Sequence, residues 1–332
     1  MAPPIRSIAL KVCLALLACL MFLGGQEAFL ATGVFDGLDK DRPVWIPPGL
    51  RAADRRVTDE NRILAAQNPF GFTDPAAKPG SHPGRTRVVV LGDSYVWGDG
   101  LAAATTWPHL LRERLEAARP GRFEVLSWGL CGWATVHQLV FLEKHGDDFK
   151  PDAVLVGFVS NDPDMLDRRQ RRIDPNGPPW SWLAKPFPRG AAFLSGHVEA
   201  LLSRFLPGWG YERWEDGLYT AENLERYDET LAALQAWCSA RRTRLVFLLT
   251  PNADYGRNRR RFDALLPLLR ERGIEHRDLL PPVSERFAGR SERSLWANPA
   301  NPHPCPAMHA LFAEQAADLL LSSPAGRGPR AY

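Results

Sequence analysis

Four short motifs carry side chains and backbone groups that together could perform acyl transfer. They are Gly-Asp-Ser at 92–94, Gly-Leu-Cys-Gly at 129–132, Asn-Asp at 161–162 and His-Pro at 303–304. A serine hydroxyl is a weak nucleophile at neutral pH and needs a neighbouring base, a role that suits the imidazole of histidine. We therefore predict that Ser94 is a nucleophile and that His303 is the base that takes its proton.

The elements that would position these motifs alternate between strand and helix from Arg87 onward. Short strand-like segments, beginning with the apolar run at 88–91, predict five strands, at 88–91, 123–126, 153–158, 245–249 and 274–278. Strands without a polar face are typical of parallel sheets, whose long crossovers place helices on both faces. We expect an α/β fold of the three-layer αβα, flavodoxin-like type, in which a five-stranded, mostly parallel sheet is the middle layer. Ligands bind beyond the carboxyl ends of such strands, which is where the first three motifs fall.

In this chain order, the four motifs resemble the blocks of the SGNH (GDSL-like) hydrolase superfamily. The resemblance extends over residues 87–321, and residues 68–72 and 92–100 are similar to the lead-in and first block of its membrane-anchored bacterial members. It implies the SGNH hydrolase fold and a serine esterase or acyl-transfer enzyme. It also implies that the oxyanion donors are the backbone N–H groups of Ser94 and Gly132 and the side-chain amide of Asn161. Gly129 is the second candidate for the place of Gly132.

The resemblance fails at one position next to the histidine. The family usually has an aspartate two or three residues before it, to orient the imidazole, whereas this chain has Asn301 and Ala300 there. A backbone carbonyl could take over that function, a Ser-His dyad could work without it, or a carboxylate from another loop could replace it. The candidates for the third alternative are Asp278, Asp162 and Asp164.

The first 35 residues have the pattern of a segment directed to a membrane. Arg6 and Lys11 precede an apolar run at 12–25, which is shorter than the roughly 20 residues that span a bilayer but suits an export signal. Cleavage, retention as an anchor and lipidation at Cys19 are the alternatives. We predict an uncleaved anchor in a bacterial inner membrane, with the basic flank in the cytoplasm and the remaining chain in the periplasm.

The rest of the chain divides by composition. Prolines in residues 36–85 predict a stalk and lead-in without regular elements, followed by the hydrolase-like domain at 86–322 and a flexible tail at 323–332. Residues 163–220 interrupt the alternation with many aromatic side chains. This insertion could be a lid, a surface that stacks on sugars, or an excursion that packs its aromatics on the domain.

Composition narrows the class of protein. The 332 residues, 45% hydrophobic, can bury one large core, and a net charge of +3 is too small to predict nucleic acid as the main partner. An odd number of cysteines does not suggest a disulfide framework, and we expect Cys131 and Cys305 to be buried free thiols. The histidines have no metal-like spacing, so we expect no metal or cofactor. We expect His309 on a helix surface.

The predicted reaction is hydrolysis of an O-acyl ester, with O-acetyl groups on an envelope or extracellular carbohydrate as the leading substrate. A small ester is the other substrate class considered. Acyl transfer to a sugar hydroxyl would use the same Ser94 and His303, because only the group that attacks the acyl-enzyme differs. A catalytically impaired glycan-binding protein is the remaining alternative.

Overall fold

Five parallel strands form the central sheet of this protein, for which we describe a computed structural model. They are β1 (Thr86–Gly92), β2 (Phe123–Gly129), β3 (Ala153–Phe158), β4 (Arg244–Leu249) and β5 (Glu275–Asp278). Their order is β2-β1-β3-β4-β5, and every neighbouring pair is parallel. This is the flavodoxin-like order, so the predicted α/β fold is confirmed.

The structure describes residues 5–32, 48–74, 77–80, 82–165, 186–187, 190, 211–299 and 301–322. Most of the predicted insertion, and the predicted tail at 323–332, lie outside these residues. The helices within them are α1 (Ile5–Ala31), α2 (Pro48–Ala66), α3 (Ser94–Trp97), α4 (Trp107–Ala118), α5 (Thr135–Phe149), α6 (Tyr211–Gly217), α7 (Ala221–Ala240), α8 (Tyr255–Glu271), α9 (Leu280–Arg286) and α10 (Pro306–Ser322).

Alternate residues of each strand enter two separate cores, which makes the three layers. Val88 and Val90 of β1 pack with α4, α9 and α10 on one face of the sheet. Val89 and Leu91 pack with α5, α7 and α8 on the other face. Because both faces are covered, the strands need no polar side and read as continuous apolar runs.

A two-stranded hairpin lies just before the last helix and was not predicted from the sequence. β6 (Trp296–Asn298) pairs antiparallel with β7 (Asn301–Pro304), and β7 carries His303. These strands are only three and four residues long and are rich in asparagine and proline, so they lack the alternation by which a strand is recognised.

The chain divides into two compact units. One consists of residues 1–51 and 167–214, and the other of residues 52–166 and 215–332. The first unit contains α1, whose segment Lys11–Phe29 has a mean hydropathy of 1.8 and is long and apolar enough to cross a membrane. A signal sequence near an N-terminus has the same length and composition. The second unit contains the sheet and all the predicted site residues.

Helix α2 corrects the expectation that the prolines of residues 36–85 exclude regular structure. Pro48 is its first residue, a position where a missing N–H costs nothing. The side chain of Asn61, only 1% exposed, donates hydrogen bonds to the carbonyls of Gly98 and Leu101, at 2.9 and 2.8 Å. Phe72 is buried in the core. Much of this interval therefore belongs to the second unit.

Three glycines form a row across the carboxyl ends of β1, β2 and β3. Gly92 is in register with Gly129 on one side and Gly157 on the other. A Cβ added at these positions would lie 2.3, 2.6 and 3.1 Å from the side chain of Val96 in α3. These distances are shorter than normal contacts between side-chain atoms, so residues larger than glycine would collide with Val96. The glycines therefore allow α3 to lie directly on the sheet.

We predict that Gly129→Ala lowers the free energy of unfolding by about 1–3 kcal/mol, the usual cost of overpacking. The new methyl group would meet Val96 and also the backbone nitrogen of Trp97, at 2.8 Å. The measurement is denaturant unfolding of the detergent-solubilised full chain.

The matched control is Gly217→Ala in α6, where an added Cβ meets nothing within 4 Å. Its free energy of unfolding should match the wild type or exceed it slightly, because alanine restricts the unfolded chain. Equal stabilities for the two variants would contradict the proposed role of the glycine row.

Candidate active site

Ser94 is the first residue of α3 and leaves the sheet directly after β1. Asp93 caps this helix: its carboxylate accepts a hydrogen bond from the backbone N–H of Tyr95 at 2.9 Å, and one of its oxygens lies 3.3 Å from the hydroxyl oxygen of Ser94. Asp93 is buried, whereas Ser94 is partly exposed. The short helix thus presents a hydroxyl at the carboxyl edge of the sheet and keeps the neighbouring carboxylate inside.

His303 meets Ser94 from the β6–β7 hairpin. Its Nε2 lies 2.8 Å from the Oγ of Ser94, so the structure brings together the two side chains that the sequence predicted as a pair. Pro304 follows His303 and restricts it to an extended backbone. The ring of Tyr95 packs edge to face against the imidazole, with 5.4 Å between the ring centres. With its proton on Nδ1, this imidazole can accept the hydroxyl proton at Nε2.

Two side chains lie near the other ring nitrogen of His303. The Oδ1 of Asn301 is 2.5 Å from Nδ1 and also accepts the backbone N–H of His303 at 3.1 Å. The carboxylate of Asp99 is 3.7 Å from Nδ1. Asp99 was missed by the sequence analysis. The signal that could have found it is its place between Gly98 and Gly100, close after the nucleophile.

The three carboxylates considered from the sequence make other contacts. Asp278 pairs with Arg259 at 3.0 Å and accepts the backbone N–H of Leu280. Asp162 accepts hydrogen bonds from the side chain of Gln138 and the backbone N–H of Val159. Asp164 is buried after β3. Of the contacts described for His303, the one to a carboxylate within 4 Å belongs to Asp99.

The predicted oxyanion donors follow the neighbouring strands β2 and β3. Gly132 lies in a turn closed by a 3.0 Å hydrogen bond from the N–H of Trp133 to the carbonyl of Leu130. Its φ of 75° is the left-handed conformation that a type II turn requires at this position. An interaction with the side chain of Asn161 favours the charged form of Asp93, the residue before Ser94, and so lowers the Asp93 pKa.

Gly129, the second candidate, lies within β2 and belongs to the row beneath α3.

Two buried carboxyl groups lie behind the site. Burial raises the pKa of Asp93, and hydrogen bonding by the Tyr95 N–H and the charge of His303 oppose that rise. Burial raises the pKa of Asp162 well above its usual value, and repulsion from Asp93 raises it further. The two groups therefore resist carrying full negative charge together.

His309 and Cys131 correct two expectations. His309 is buried, 1% exposed, and its Nδ1 accepts the first backbone N–H of α4, from Trp107, at 3.0 Å. Burial lowers the pKa of His309 to about 3, and the charge of His303 adds to the effect, so it stays neutral as an acceptor. Cys131 is exposed, whereas Cys305 is buried as expected, and both are free thiols.

Within the described part of the chain, no group of three or more His, Cys, Asp or Glu side chains could hold a metal ion. The structure brings the hydroxyl of Ser94 and the imidazole of His303 together. The turns that carry Gly132 and Asn161 follow the adjacent strands β2 and β3. A serine hydroxyl within hydrogen-bond distance of an imidazole is the arrangement of an activated nucleophile.

Comparison with known proteins gives one family match. The sequence model of the GDSL-like Lipase/Acylhydrolase family matches residues 90–311. No curated protein matches the chain.

Similar solved structures include three with the following values. TesA has 16% identity and a TM-score of 0.44, over 71% of this chain and 98% of that one. The psychrotrophic esterase EstA from Pseudoalteromonas sp. has 14% identity and a TM-score of 0.43, over 70% of this chain and 95% of that one. A two-domain esterase (CEX) active on acetylated mannans has 15% identity and a TM-score of 0.46, over 86% of this chain and 56% of that one.

We predict that Asp162→Asn removes a loss of stability that the wild type suffers as pH rises. A carboxyl group whose pKa is raised by folding binds its proton more tightly in the folded state. The loss in free energy of unfolding that Asp162 causes is absent below the pKa of the unfolded state, near 3.8. This loss grows as the pH rises above that value and is complete above the pKa of the folded state.

The measurement is the midpoint of thermal unfolding at about pH 5 and at about pH 8, both above the unfolded value of the Asp162 pKa. The midpoint should fall less with rising pH in Asp162→Asn than in the wild type. Asp263→Asn, at an exposed position on α8, is the control and should keep the wild-type pH dependence. An unchanged pH dependence in Asp162→Asn would contradict a raised pKa at this position.

Proposed function

This chain belongs to the GDSL-like lipase/acylhydrolase family and is a hydrolase of ester bonds, and we propose that it works through an acyl-enzyme on Ser94 with His303 as general base. The observation that carries the proposal is the 2.8 Å contact between the Ser94 hydroxyl and Nε2 of His303. A nucleophile within hydrogen-bond reach of a base that is itself oriented by a third group is the arrangement that covalent acyl transfer needs.

The first half of the reaction forms the acyl-enzyme. Nε2 of His303 takes the hydroxyl proton as Oγ of Ser94 bonds to the ester carbonyl carbon, and the carbonyl electron pair moves onto oxygen. We assign the resulting oxyanion to the backbone N–H groups of Ser94 and Gly132 and to the amide of Asn161. When the carbonyl re-forms, the bond to the leaving alkoxide breaks, and His303 returns the proton to that oxygen.

The second half releases the acyl group. Water gives a proton to His303 and attacks the acyl carbonyl, and the bond to Ser94 then breaks with return of that proton to Oγ. Asn161 suits both halves because its amide has two N–H groups. One can interact with the nearby Asp93 while the other faces the developing charge.

For the substrate we propose O-acetyl esters on an envelope or extracellular carbohydrate. The support is the sequence of residues 163–220, in which aromatic side chains offer flat surfaces of large contact area, together with an N-terminal helix that suits the membrane. We also propose that α1 is an uncleaved anchor of the bacterial inner membrane. Arg6 and Lys11 then lie on the cytoplasmic side and the hydrolase unit in the periplasm.

We predict that a fluorophosphonate probe labels Ser94 in the detergent-solubilised full chain. Residues before β1 are kept because Asn61 and Phe72 belong to the unit that holds the site and contact its core and the loop after α3. Ser94→Ala should abolish labelling because the nucleophile is gone, and His303→Ala should reduce it strongly because the hydroxyl loses its base. The measurement is in-gel fluorescence with peptide mass mapping.

Ser284→Ala, at a partly exposed serine on α9, is the matched control and should be labelled as the wild type is. Failure to label the folded wild type would favour a glycan-binding protein without acyl chemistry. Where labelling succeeds, acetate release from an acetylated polysaccharide should not depend on an added acceptor sugar. Dependence on the acceptor would indicate a transferase.

We predict that the mature protein keeps residues 1–35. The intact mass of the membrane-extracted protein should equal that of the full chain, apart from removal of the initiator methionine. Trypsin added to spheroplasts should digest the hydrolase unit while leaving cytoplasmic markers intact. A mass that lacks the apolar segment would identify it as a cleaved signal instead, and a lipid-sized increase after truncation before Cys19 would identify a lipoprotein.

A further inference from the structure

The Nδ1 side of His303 holds an amide in contact and a carboxylate at longer range. The Oδ1 of Asn301 accepts from Nδ1 at 2.5 Å, and the nearest oxygen of Asp99 is 3.7 Å from the same atom. An amide oxygen can fix the direction of the ring but carries no charge. A carboxylate at 3.7 Å is beyond direct hydrogen-bond distance, yet its charge still acts on the imidazole.

We propose that these two residues divide the work that one aspartate does in other serine hydrolases. Asn301 holds the orientation and tautomer of His303, and Asp99 provides the negative charge that stabilises the imidazolium formed during acyl transfer. The inference rests on the proposed function, because the imidazolium arises only if His303 takes the Ser94 proton. Both residues act through His303 and are positioning residues.

The loop that carries Asp99 is held in place by several contacts. Gly98 and Gly100, on either side of it, have φ values of 90° and 75°, which an ordinary residue adopts only with strain. The N–H of Asp99 donates to the carbonyl of Ser94 at 3.0 Å. From α2, Asn61 donates to the carbonyls of Gly98 and Leu101. A solvated surface aspartate needs none of these constraints.

Asn301 is fixed with equal care. It is 7% exposed, and its Oδ1 accepts both the backbone N–H and the ring Nδ1 of His303. Its amide nitrogen lies against Gly100, where an added Cβ would come within 2.5 Å of it. An aspartate at this position would place a second carboxylate beside the Asp99 loop, and like charges so close raise each other's energy. A neutral side chain at 301 is therefore compatible with a charge at 99.

Other titratable groups lie near His303 and Asp99 and interact with them electrostatically. Asp93, from the start of α3, acts on His303 by its charge, and His309, from α10, is influenced by His303 in turn. Cys131, from the turn after β2, feels the charge of Asp99. Among the contacts described for His303, the partly exposed Asp99 is the carboxylate that lies within 4 Å of Nδ1.

The test compares the wild-type full chain with Asp99→Asn, Asn301→Asp and the double variant, by kcat and KM for a short-chain ester across pH. We expect Asp99→Asn to lower kcat about 10- to 100-fold with little change in KM. The loss should be smaller than the about 10⁴-fold loss in a protease whose orienting aspartate becomes asparagine, because Asn301 still holds the tautomer here. The acid limb of the profile should move to lower pH, since the imidazolium loses a neighbouring negative charge.

Rescue separates this role from a structural one. The double variant should recover most of the activity lost in Asp99→Asn, because its new carboxylate at position 301 replaces the lost charge. A merely structural Asp99 would not be rescued by a change at 301. Asp263→Asn, at an exposed position in the middle of α8, is the control for loss of an exposed carboxylate and should match the wild type.

A second readout does not depend on turnover. The titration of the His303 ring, followed by NMR, should have a lower midpoint in Asp99→Asn than in the wild type and a restored midpoint in the double variant. An unchanged midpoint and wild-type kcat in Asp99→Asn would overturn the inference. If the proposed function itself were wrong, the wild type would show neither labelling of Ser94 nor turnover, whereas the NMR midpoints would still report on Asp99.

Discussion

The close approach of α3 to the sheet is the constraint on which the site depends. It requires the row of glycines at the ends of β1, β2 and β3, because Val96 occupies the space that their side chains would fill. With α3 seated there, Ser94 emerges at the sheet edge and Asp93 turns inward to cap the helix. The loop after α3 then carries Asp99 toward the hairpin. A displacement of this one helical turn would move nucleophile, cap and nearby carboxylate together.

The buried polar groups near the strand ends act as a second frame. Ser160 precedes Asn161, and its hydroxyl donates to Glu215, which also pairs with Arg261 at 2.8 Å. The hydroxyl of Tyr219 donates to the carbonyl of Ser160 at 2.9 Å. Burial raises the pKa of Glu215, and the Arg261 charge opposes that rise. Removing one member of the Glu215–Arg261 pair would leave an uncompensated buried charge, which is costly. The pair therefore fixes Glu215, and the hydrogen bonds of Ser160 to Glu215 and Tyr219 hold the turn that carries Asn161.

The sequence predicts this structure well where local pattern and burial coincide, and less well elsewhere. Strands β1 to β4 are recognisable because buried parallel strands are largely apolar, and Ser94 stands at the end of the first of them. β5 is polar and is recognisable by its place between two helices. The hairpin that carries His303 has no alternating pattern, since its side chains serve the site and not a core. Helix α2 was hidden by the prolines around it. Nothing in the local sequence distinguishes His309 from a surface residue of its helix, because its partner, the N–H of Trp107 at the start of α4, is distant in the chain.

Asp99 shows most clearly why a motif and a function can separate. A motif records one residue at a fixed distance along the chain, whereas the imidazole responds only to where charge and acceptor lie in space. The chain meets these two needs from different directions: β7 supplies an acceptor in contact with Nδ1, and the loop after α3 supplies charge at 3.7 Å. Because the acceptor is neutral, the described contacts of Nδ1 include a carboxylate from Asp99 and an uncharged oxygen from Asn301. The missing aspartate of the family pattern is therefore a weak argument against catalysis in this fold.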